Sequence, residues 1–116
     1  MRREKHENID ETIEEVKRII IERTDPEMIV LFGSHASGKP DFDSDMDILV
    51  VKESNLRFDK RALEIYDLFD RVSYPMDVVV YTPQEVKQYG KVRGSFLNRI
   101  LETGKVLYKQ EKNKQQ

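Results

Sequence analysis

The sequence predicts an α/β (α+β) domain, in which helices pack on a small mixed β-sheet. Three short apolar runs alternate with segments of helical spacing, and each run is too short to be a buried helix. The runs are apolar on both faces, which is typical of strands that helices cover. At 116 residues, the chain is long enough for one domain with a modest core. We expect this domain to span residues 1–108, with a polar tail over 109–116.

Composition narrows the class of protein. Charged residues make up 36% of the chain, and the mean hydropathy is -0.68, which predicts a soluble protein without a membrane span. No apolar segment follows the first residues, so we expect no secretory signal and a cytoplasmic location. Cysteine is absent, which excludes disulfides and thiolate metal sites. A net charge of -2 gives no overall attraction to nucleic acid, and direct binding to it is not expected.

The first half of the chain predicts one helix and two strands. The helix should end near Thr24, because Asp25 precedes a proline and is pushed out of the α region. A fully apolar strand over 28–32 follows, then a loop over 33–44 with one helical turn expected after Ser34, and a second strand over 46–52. The apolar stripe of the first helix recurs at spacings of four, three and four, at Ile9, Ile13, Val16 and Ile20.

The second half begins with a helix predicted over 57–72 and a third strand over 76–81. Thr82 then reads as a helix N-cap, with Pro83 at the first helical position and Glu85 completing a capping box. This pattern predicts a short helix to about Tyr89. The inward face of the helix over 57–72 is expected to hold Leu63, Tyr66 and Phe69, with Leu68 beside them.

A last helix is predicted over 95–103, and Gly104 is expected to cap its C-terminus. Residues 106–108 then form a candidate edge strand. The residues of this helix expected to point inward are Phe96, Leu97, Ile100 and Leu101.

Three aspartates interrupt the apolar pattern where strands begin. Side chains at i and i+2 of a strand point the same way, about 6.6 Å apart, so Asp45 and Asp47 share one patch. Asp77 joins them if the third strand is a neighbour of the second. Carboxylates this close repel one another unless a cation offsets their charge. Mg²⁺ prefers oxygen ligands, and two such ions about 3.5–4 Å apart suit nucleotidyl displacement.

The Gly33-Ser34 pair follows the first strand and predicts a phosphate contact. Backbone N–H groups at this position can bind phosphate oxygens, glycine permits close approach, and the serine hydroxyl adds a donor. The loop to Asp45 would bring the phosphate contact and the acidic patch to one edge of the sheet.

Two other motifs, a P-loop and an EF-hand, are excluded for this stretch because required residues are missing. A P-loop would use Gly33, Gly38 and Lys39, but Pro40 stands where Ser or Thr must ligate magnesium, and no helix pattern follows. An EF-hand requires glycine at its sixth position and glutamate at its twelfth, and neither register of the alternating aspartates supplies them.

Together, Phe32-Gly33-Ser34, Asp45-Met46-Asp47 and the later Asp77 resemble the DNA polymerase beta-type nucleotidyltransferase superfamily, and the short chain resembles its minimal nucleotidyltransferase branch. The resemblance implies that Asp45, Asp47 and Asp77 are catalytic and ligate magnesium, as two ions, and that Asp77 acts as the base. It also implies that Gly33 and Ser34 hold the triphosphate, and Lys39 is a further candidate for that contact.

The implied activity is Mg²⁺-dependent transfer of a nucleoside monophosphate, AMP from ATP, to an acceptor hydroxyl. Small relatives of this kind often act as antitoxins beside a HEPN-domain toxin, and some adenylylate a tyrosine on it, so the resemblance implies a HEPN protein as the partner. Members of the superfamily often carry arginines where this chain has His35 and Ser37. This departure motivates an alternative, a binding subunit of weak or no activity. Homo- and hetero-oligomers both stay open.

Overall fold

The computed structural model describes residues 9–37, 45–70 and 73–111. Helices and strands alternate along most of this part of the chain, as the sequence predicts. The elements, numbered in chain order, are α1 Ile9–Thr24, β1 Met28–Phe32, α2 Ser34–Ser37, β2 Met46–Val51, α3 Phe58–Tyr66, β3 Met76–Tyr81, α4 Pro83–Tyr89, α5 Phe96–Thr103 and β4 Lys105–Lys109.

The four strands form one mixed sheet in the order β3-β2-β1-β4. Strand β2 runs parallel to β3, whereas β1 is antiparallel to both of its neighbours, β2 and β4. The predicted α/β class with a small mixed sheet is therefore confirmed. The candidate edge strand over 106–108 is also present, as β4 at one side of the sheet.

Helices cover both faces of the sheet, and a separate apolar cluster lies on each face. The larger cluster joins α1 and α3 to one face of β1, β2 and β3. The smaller cluster joins α4 and α5 to the opposite face. Its buried members are Val30, Leu49, Val51, Leu97 and Ile100.

Helix α1 follows its predicted stripe and ends where the sequence indicates. Ile13, Val16 and Ile20 are buried against the sheet. At Asp25, directly before the proline, the backbone adopts a φ of 53°, a left-handed conformation that stops the helix. The chain then turns back into β1.

Helix α3 differs from its prediction in length and in its buried face. It ends at Tyr66 rather than at residue 72, because the N–H groups of Leu68 and Phe69 donate to carbonyls only three residues back. Residues 71–72 lie outside the described part of the chain. Leu63 is 51% exposed, so its predicted place in the core is wrong, and Ile65 is the residue that is fully buried.

The two helices on the other face begin with side-chain caps. Thr82 and Glu85 form the predicted capping box at α4, and Ser95 caps α5. Leu97 is buried, as predicted. Phe96 is 53% exposed, so its predicted inward position is wrong, and its ring lies beside Phe32 at the end of β1.

Gly104 caps the C-terminus of α5, as predicted, and it is tightly packed. The N–H of Gly104 donates to the carbonyl of Ile100 at 2.7 Å, and a Cβ at this glycine would lie 2.6 Å from Cγ1 of Val30. Within residues 9–37, 45–70 and 73–111, no helix is long and apolar enough to span a bilayer. The division into a domain over 1–108 and a tail over 109–116 stays a prediction.

Candidate active site

The register of the parallel strands places two of the three predicted aspartates side by side. Asp47 of β2 pairs directly with Asp77 of β3. Asp45 precedes β2 and stands two residues before Asp47, so it is positioned toward the same side of the sheet. Asp45 and Asp77 are exposed, and Asp47 is half-buried. We call Asp45, Asp47 and Asp77 the acidic edge.

The antiparallel β1 brings the Gly33-Ser34 segment to the acidic edge. Phe32, the last residue of β1, pairs with Asp47. The next residue, Gly33, therefore leaves the sheet beside Asp47, and the single turn of α2 begins at Ser34. The predicted helical turn after Ser34 is thus present, and the phosphate-contact candidates lie at the same edge as the carboxylates.

The backbone of Gly33 lies directly against the Asp47 carboxylate. Its φ of 77° lies in the left-handed region, which glycine adopts without steric cost. A Cβ at this position would overlap Oδ2 of Asp47 and lie 3.1 Å from its Cγ. A side chain here would displace the carboxylate, so the close approach requires glycine.

The charges around Asp47 oppose its ionisation. Burial raises the pKa of the Asp47 carboxyl, and the charges of Asp77 and Asp45 raise it further. His35 acts in the opposite direction and lowers this pKa. An added cation at the acidic edge would favour the ionised carboxylate in the same way, and more strongly if divalent.

The donor set of the acidic edge fits a hard divalent cation. Its side chains offer only carboxylate oxygens, the ligands that Mg²⁺ prefers. Among the residues that the structure describes, no three His, Cys, Asp or Glu side chains stand close enough together to hold a metal ion as they are. A bound divalent cation would offset the repulsion between the three carboxylates and allow them to approach one another.

Of the other two candidates for the triphosphate contact, Ser34 lies in the described part of the chain and Lys39 does not. Ser34 is half-buried at the start of α2, next to Gly33. Lys39 lies within residues 38–44, outside the described part of the chain. The three predicted metal ligands and the Gly33-Ser34 pair are thus brought to one edge, and the contribution of Lys39 stays a prediction.

Next to Gly33, the structure shows a groove that the sequence analysis does not identify. The groove has a volume of about 530 Å³ and runs between the end of β1 and the outer face of α5. It is lined by Phe32, Gly33, Gly94, Phe96, Arg99 and Thr103, among others. The signal in the sequence is the helical spacing of three and four that separates Phe96, Arg99 and Thr103, the exposed α5 residues of the groove. The apolar pattern of α5 places Phe96 in the core, so the sequence does not indicate that Phe96 belongs to an exposed groove.

Comparisons with known proteins identify the family and the fold of the chain. Residues 14–113 match the family model described as polymerase beta, nucleotidyltransferase. A proposed protein adenylyltransferase of Methanocaldococcus jannaschii, MJ0604, is 33% identical over 82 residues, which cover 69% of this chain and 76% of that protein. The crystal structure of a proposed nucleotidyltransferase from Sulfolobus solfataricus superposes with a TM-score of 0.66 at 20% identity, covering 94% of this chain and 87% of that one.

The family match covers most of the chain, and the structural likeness supports the same fold. The acidic edge and the Gly33-Ser34 pair lie inside the matched region. The chain therefore belongs to the polymerase beta family of nucleotidyltransferases, as a minimal nucleotidyltransferase enzyme.

Proposed function

We propose that this nucleotidyltransferase transfers AMP from ATP to a hydroxyl group of a protein, in a reaction that depends on Mg²⁺. The observation that carries the proposal is the pairing of Asp47 with Asp77 beside the backbone of Gly33. This arrangement offers carboxylates for a cation and a close backbone approach for a phosphate at one edge. A protein as the acceptor is supported by the name of MJ0604, a proposed protein adenylyltransferase.

The reaction forms one phosphorus–oxygen bond and breaks another. The acceptor oxygen attacks the α-phosphorus of ATP, and the bond from that phosphorus to the oxygen bridging to the β-phosphate breaks, so pyrophosphate leaves. The hydroxyl proton passes to a carboxylate. Asp77 is the proposed base, because its exposed side chain can reach an acceptor that arrives from outside.

Asp45, Asp47 and Asp77 would hold the magnesium ions. Bound Mg²⁺ would offset the negative charge that accumulates on the triphosphate and pyrophosphate oxygens. The carboxylates themselves keep ATP away without a cation, since three negative side chains face a negative substrate. The proposed reaction is therefore expected to require the metal for substrate binding as well as for chemistry.

The proposed acceptor is a tyrosine of a HEPN-domain toxin, and the proposed biological role is that of its antitoxin. Asp45 and Asp77 are exposed, so the acidic edge is open to a side chain that a second protein presents. The phenolic hydroxyl of a tyrosine can serve as an acceptor once its proton is removed. Modification of the toxin would then neutralise it.

The test uses ATP labelled at the α- or the γ-phosphate, Mg²⁺ and a purified HEPN-domain protein. Transfer of AMP labels the HEPN protein from α-labelled ATP only, whereas phosphorylation labels it from γ-labelled ATP. We expect Asp45→Asn to reduce the α-label by more than about a hundredfold. Asp67→Asn, which removes an exposed carboxylate at the end of α3, is the matched control and should label normally.

A second candidate function is a binding subunit of weak or no activity. It is favoured by the two positions after Gly33-Ser34 that hold His35 and Ser37 in place of arginine. Isothermal titration of the protein with ATP and Mg²⁺ separates the two candidates. Metal-dependent ATP binding together with α-label on the partner supports the enzyme, and absence of metal-dependent ATP binding refutes it.

A further inference from the structure

We propose that Arg99 and Phe96 bind the nucleoside triphosphate, with the Arg99 guanidinium on its phosphates and the Phe96 ring on its base. This inference rests on the proposed function and adds two substrate-binding residues on α5 to the acidic edge. Arg99 takes the role of a phosphate-binding cation, and Phe96 provides the surface on which the base stacks.

The groove and the acidic edge are continuous through Gly33. On one side, the Gly33 backbone approaches the Asp47 carboxylate so closely that a Cβ would overlap it. On the other side, Gly33 lines the groove together with Arg99. A triphosphate with its reacting phosphate near Asp47 therefore extends past Gly33 into the part of the groove that Arg99 lines.

The charge of Arg99 suits this position. Its guanidinium forms no ion pair with another residue of the described part of the chain, so its charge is not already neutralised there. Guanidinium groups bind phosphate through two parallel hydrogen bonds. The positions after Ser34 carry His35 and Ser37, neither of which can form such a pair. Arg99 supplies this kind of contact from the neighbouring helix.

Phe96 gives the groove an aromatic surface beside Phe32, one helical turn before Arg99. Its ring meets Phe32 edge to face, with the ring centroids 5.9 Å apart and the planes at 84°. This contact holds the ring in one orientation, yet 53% of the residue stays exposed. Nucleobases stack on exposed aromatic side chains, and a stack of this kind is tolerant of base identity. We therefore expect Phe96 to contribute affinity more than base preference.

The experiment measures binding of two probes, ATP and inorganic triphosphate, by isothermal titration in the presence of Mg²⁺. We expect Arg99→Gln to weaken the binding of both probes about tenfold. Phe96→Ala should weaken ATP binding about tenfold and leave triphosphate binding unchanged, because only ATP carries a base. Phe96→Tyr, which keeps an aromatic ring, should bind ATP as tightly as the wild type does.

The matched control is Arg93→Gln, which removes the same charge from an exposed position that does not line the groove. If Arg99→Gln binds both probes as tightly as Arg93→Gln does, the role of Arg99 is refuted while the proposed function stands. If Phe96→Ala weakens both probes equally, the stacking role is refuted. If the wild type binds neither probe, the proposed function fails, and this inference fails with it. Melting curves identify variants that have lost their fold.

Discussion

Among single residues, Gly33 and Asp47 constrain each other most directly. The backbone of Gly33 occupies a left-handed conformation against the Asp47 carboxylate, and a Cβ at this position would overlap that carboxylate. The left-handed conformation and the contact with Asp47 contribute separately to the cost of placing a side chain at residue 33. A second glycine in a left-handed conformation allows the two contributions to be measured separately. Gly94 has a φ of 83°, but a Cβ at that position would meet no atom within 4 Å.

We predict that Gly33→Ala lowers the free energy of unfolding by about 3 kcal/mol, whereas Gly94→Ala lowers it by about 1 kcal/mol. Both substitutions place a Cβ in a left-handed conformation, but only the first forces Asp47 to move. Chemical denaturation measures both values. A cycle with Asp47→Ala provides the control, since the excess cost at residue 33 should disappear when the carboxylate is absent. Equal costs at the two glycines would contradict the contact.

The residues of the site differ in how far the sequence predicts them. Asp47 and Asp77 are found because a charge inside an apolar strand conflicts with its neighbours, and such conflicts occur at functional sites. Arg99 carries no comparable conflict, since an arginine on a helix is ordinary on any solvated surface. Apolar spacing places Phe96 on the inward face of its helix. The spacing does not show where the sheet beneath that face ends, so the predicted burial of Phe96 is wrong.

Between elements, the strongest polar connection joins α3 to the start of α4. The Arg61 side chain is 10% exposed and donates to both carboxylate oxygens of Glu85, at 2.7 and 3.1 Å. It also donates to the carbonyls of Leu56 and Val80, at 3.0 and 3.3 Å. Glu85 in turn accepts from the N–H of Thr82 and so caps α4. One carboxylate thus serves both as a helix cap and as a counterion for a buried arginine.

This connection predicts a pH-dependent stability. Hydrogen bonds from Arg61 hold the pKa of Glu85 below its usual range, and they outweigh the opposing effect of burial. A lowered folded-state pKa stabilises the fold above the unfolded-state pKa, and the stabilisation is lost as pH falls through the folded-state value. We predict that Glu85→Gln costs about 2 kcal/mol at pH 7 and progressively less below about pH 4.

Urea denaturation across this pH range measures the effect. Glu64→Gln is the matched control, because Glu64 pairs with Lys52 at 3.2 Å but its side chain is 48% exposed. An exposed pair of this kind contributes less than about 1 kcal/mol. A cost of Glu85→Gln that stays constant from pH 7 to pH 3 would contradict the ion pair as its source.

The sequence predicts where a helix begins or ends when neighbouring residues in the chain determine that position. Asp25 before a proline and the Thr82 cap both mark helix ends through their own backbone or side chain, and both predictions are confirmed. Helix α3 is different, since nothing in its sequence requires it to stop at Tyr66. The Tyr66 hydroxyl accepts a hydrogen bond from the N–H of Val78 at 2.9 Å, a contact with β3 that no local pattern reveals.

For the whole molecule, the acidic edge lowers stability in the absence of a cation. Burial and the charges of Asp77 and Asp45 disfavour the ionised form of Asp47. With no cation bound, the ionised carboxylate therefore lowers the stability of the fold. Functional sites commonly carry such a cost. The cost should be reversed when ATP and Mg²⁺ bind, because a ligand that binds only the folded state stabilises it.

We predict that Asp47→Asn raises the melting temperature in the presence of a chelator, because it removes a half-buried charge that faces Asp45 and Asp77. In saturating ATP and Mg²⁺, the order should reverse. The wild type gains about 2.7 kcal/mol at a ligand concentration of 100 times Kd, and the variant should gain much less. Thermal melts in the two conditions measure both changes. An equal gain for both proteins would contradict a role of Asp47 in holding the metal.

The pairing of Asp47 with Asp77 also restricts how the strands can align during folding. Side chains alternate between the two faces of a strand, so a slip of one residue would turn Asp77 toward the face covered by α1 and α3. There the carboxylate would enter a cluster of apolar side chains without a partner, at a cost that misaligned strands could not recover. The aspartates that make the native sheet less stable therefore make its misaligned alternatives less stable still, so the charges of the acidic edge also favour the correct alignment of the strands.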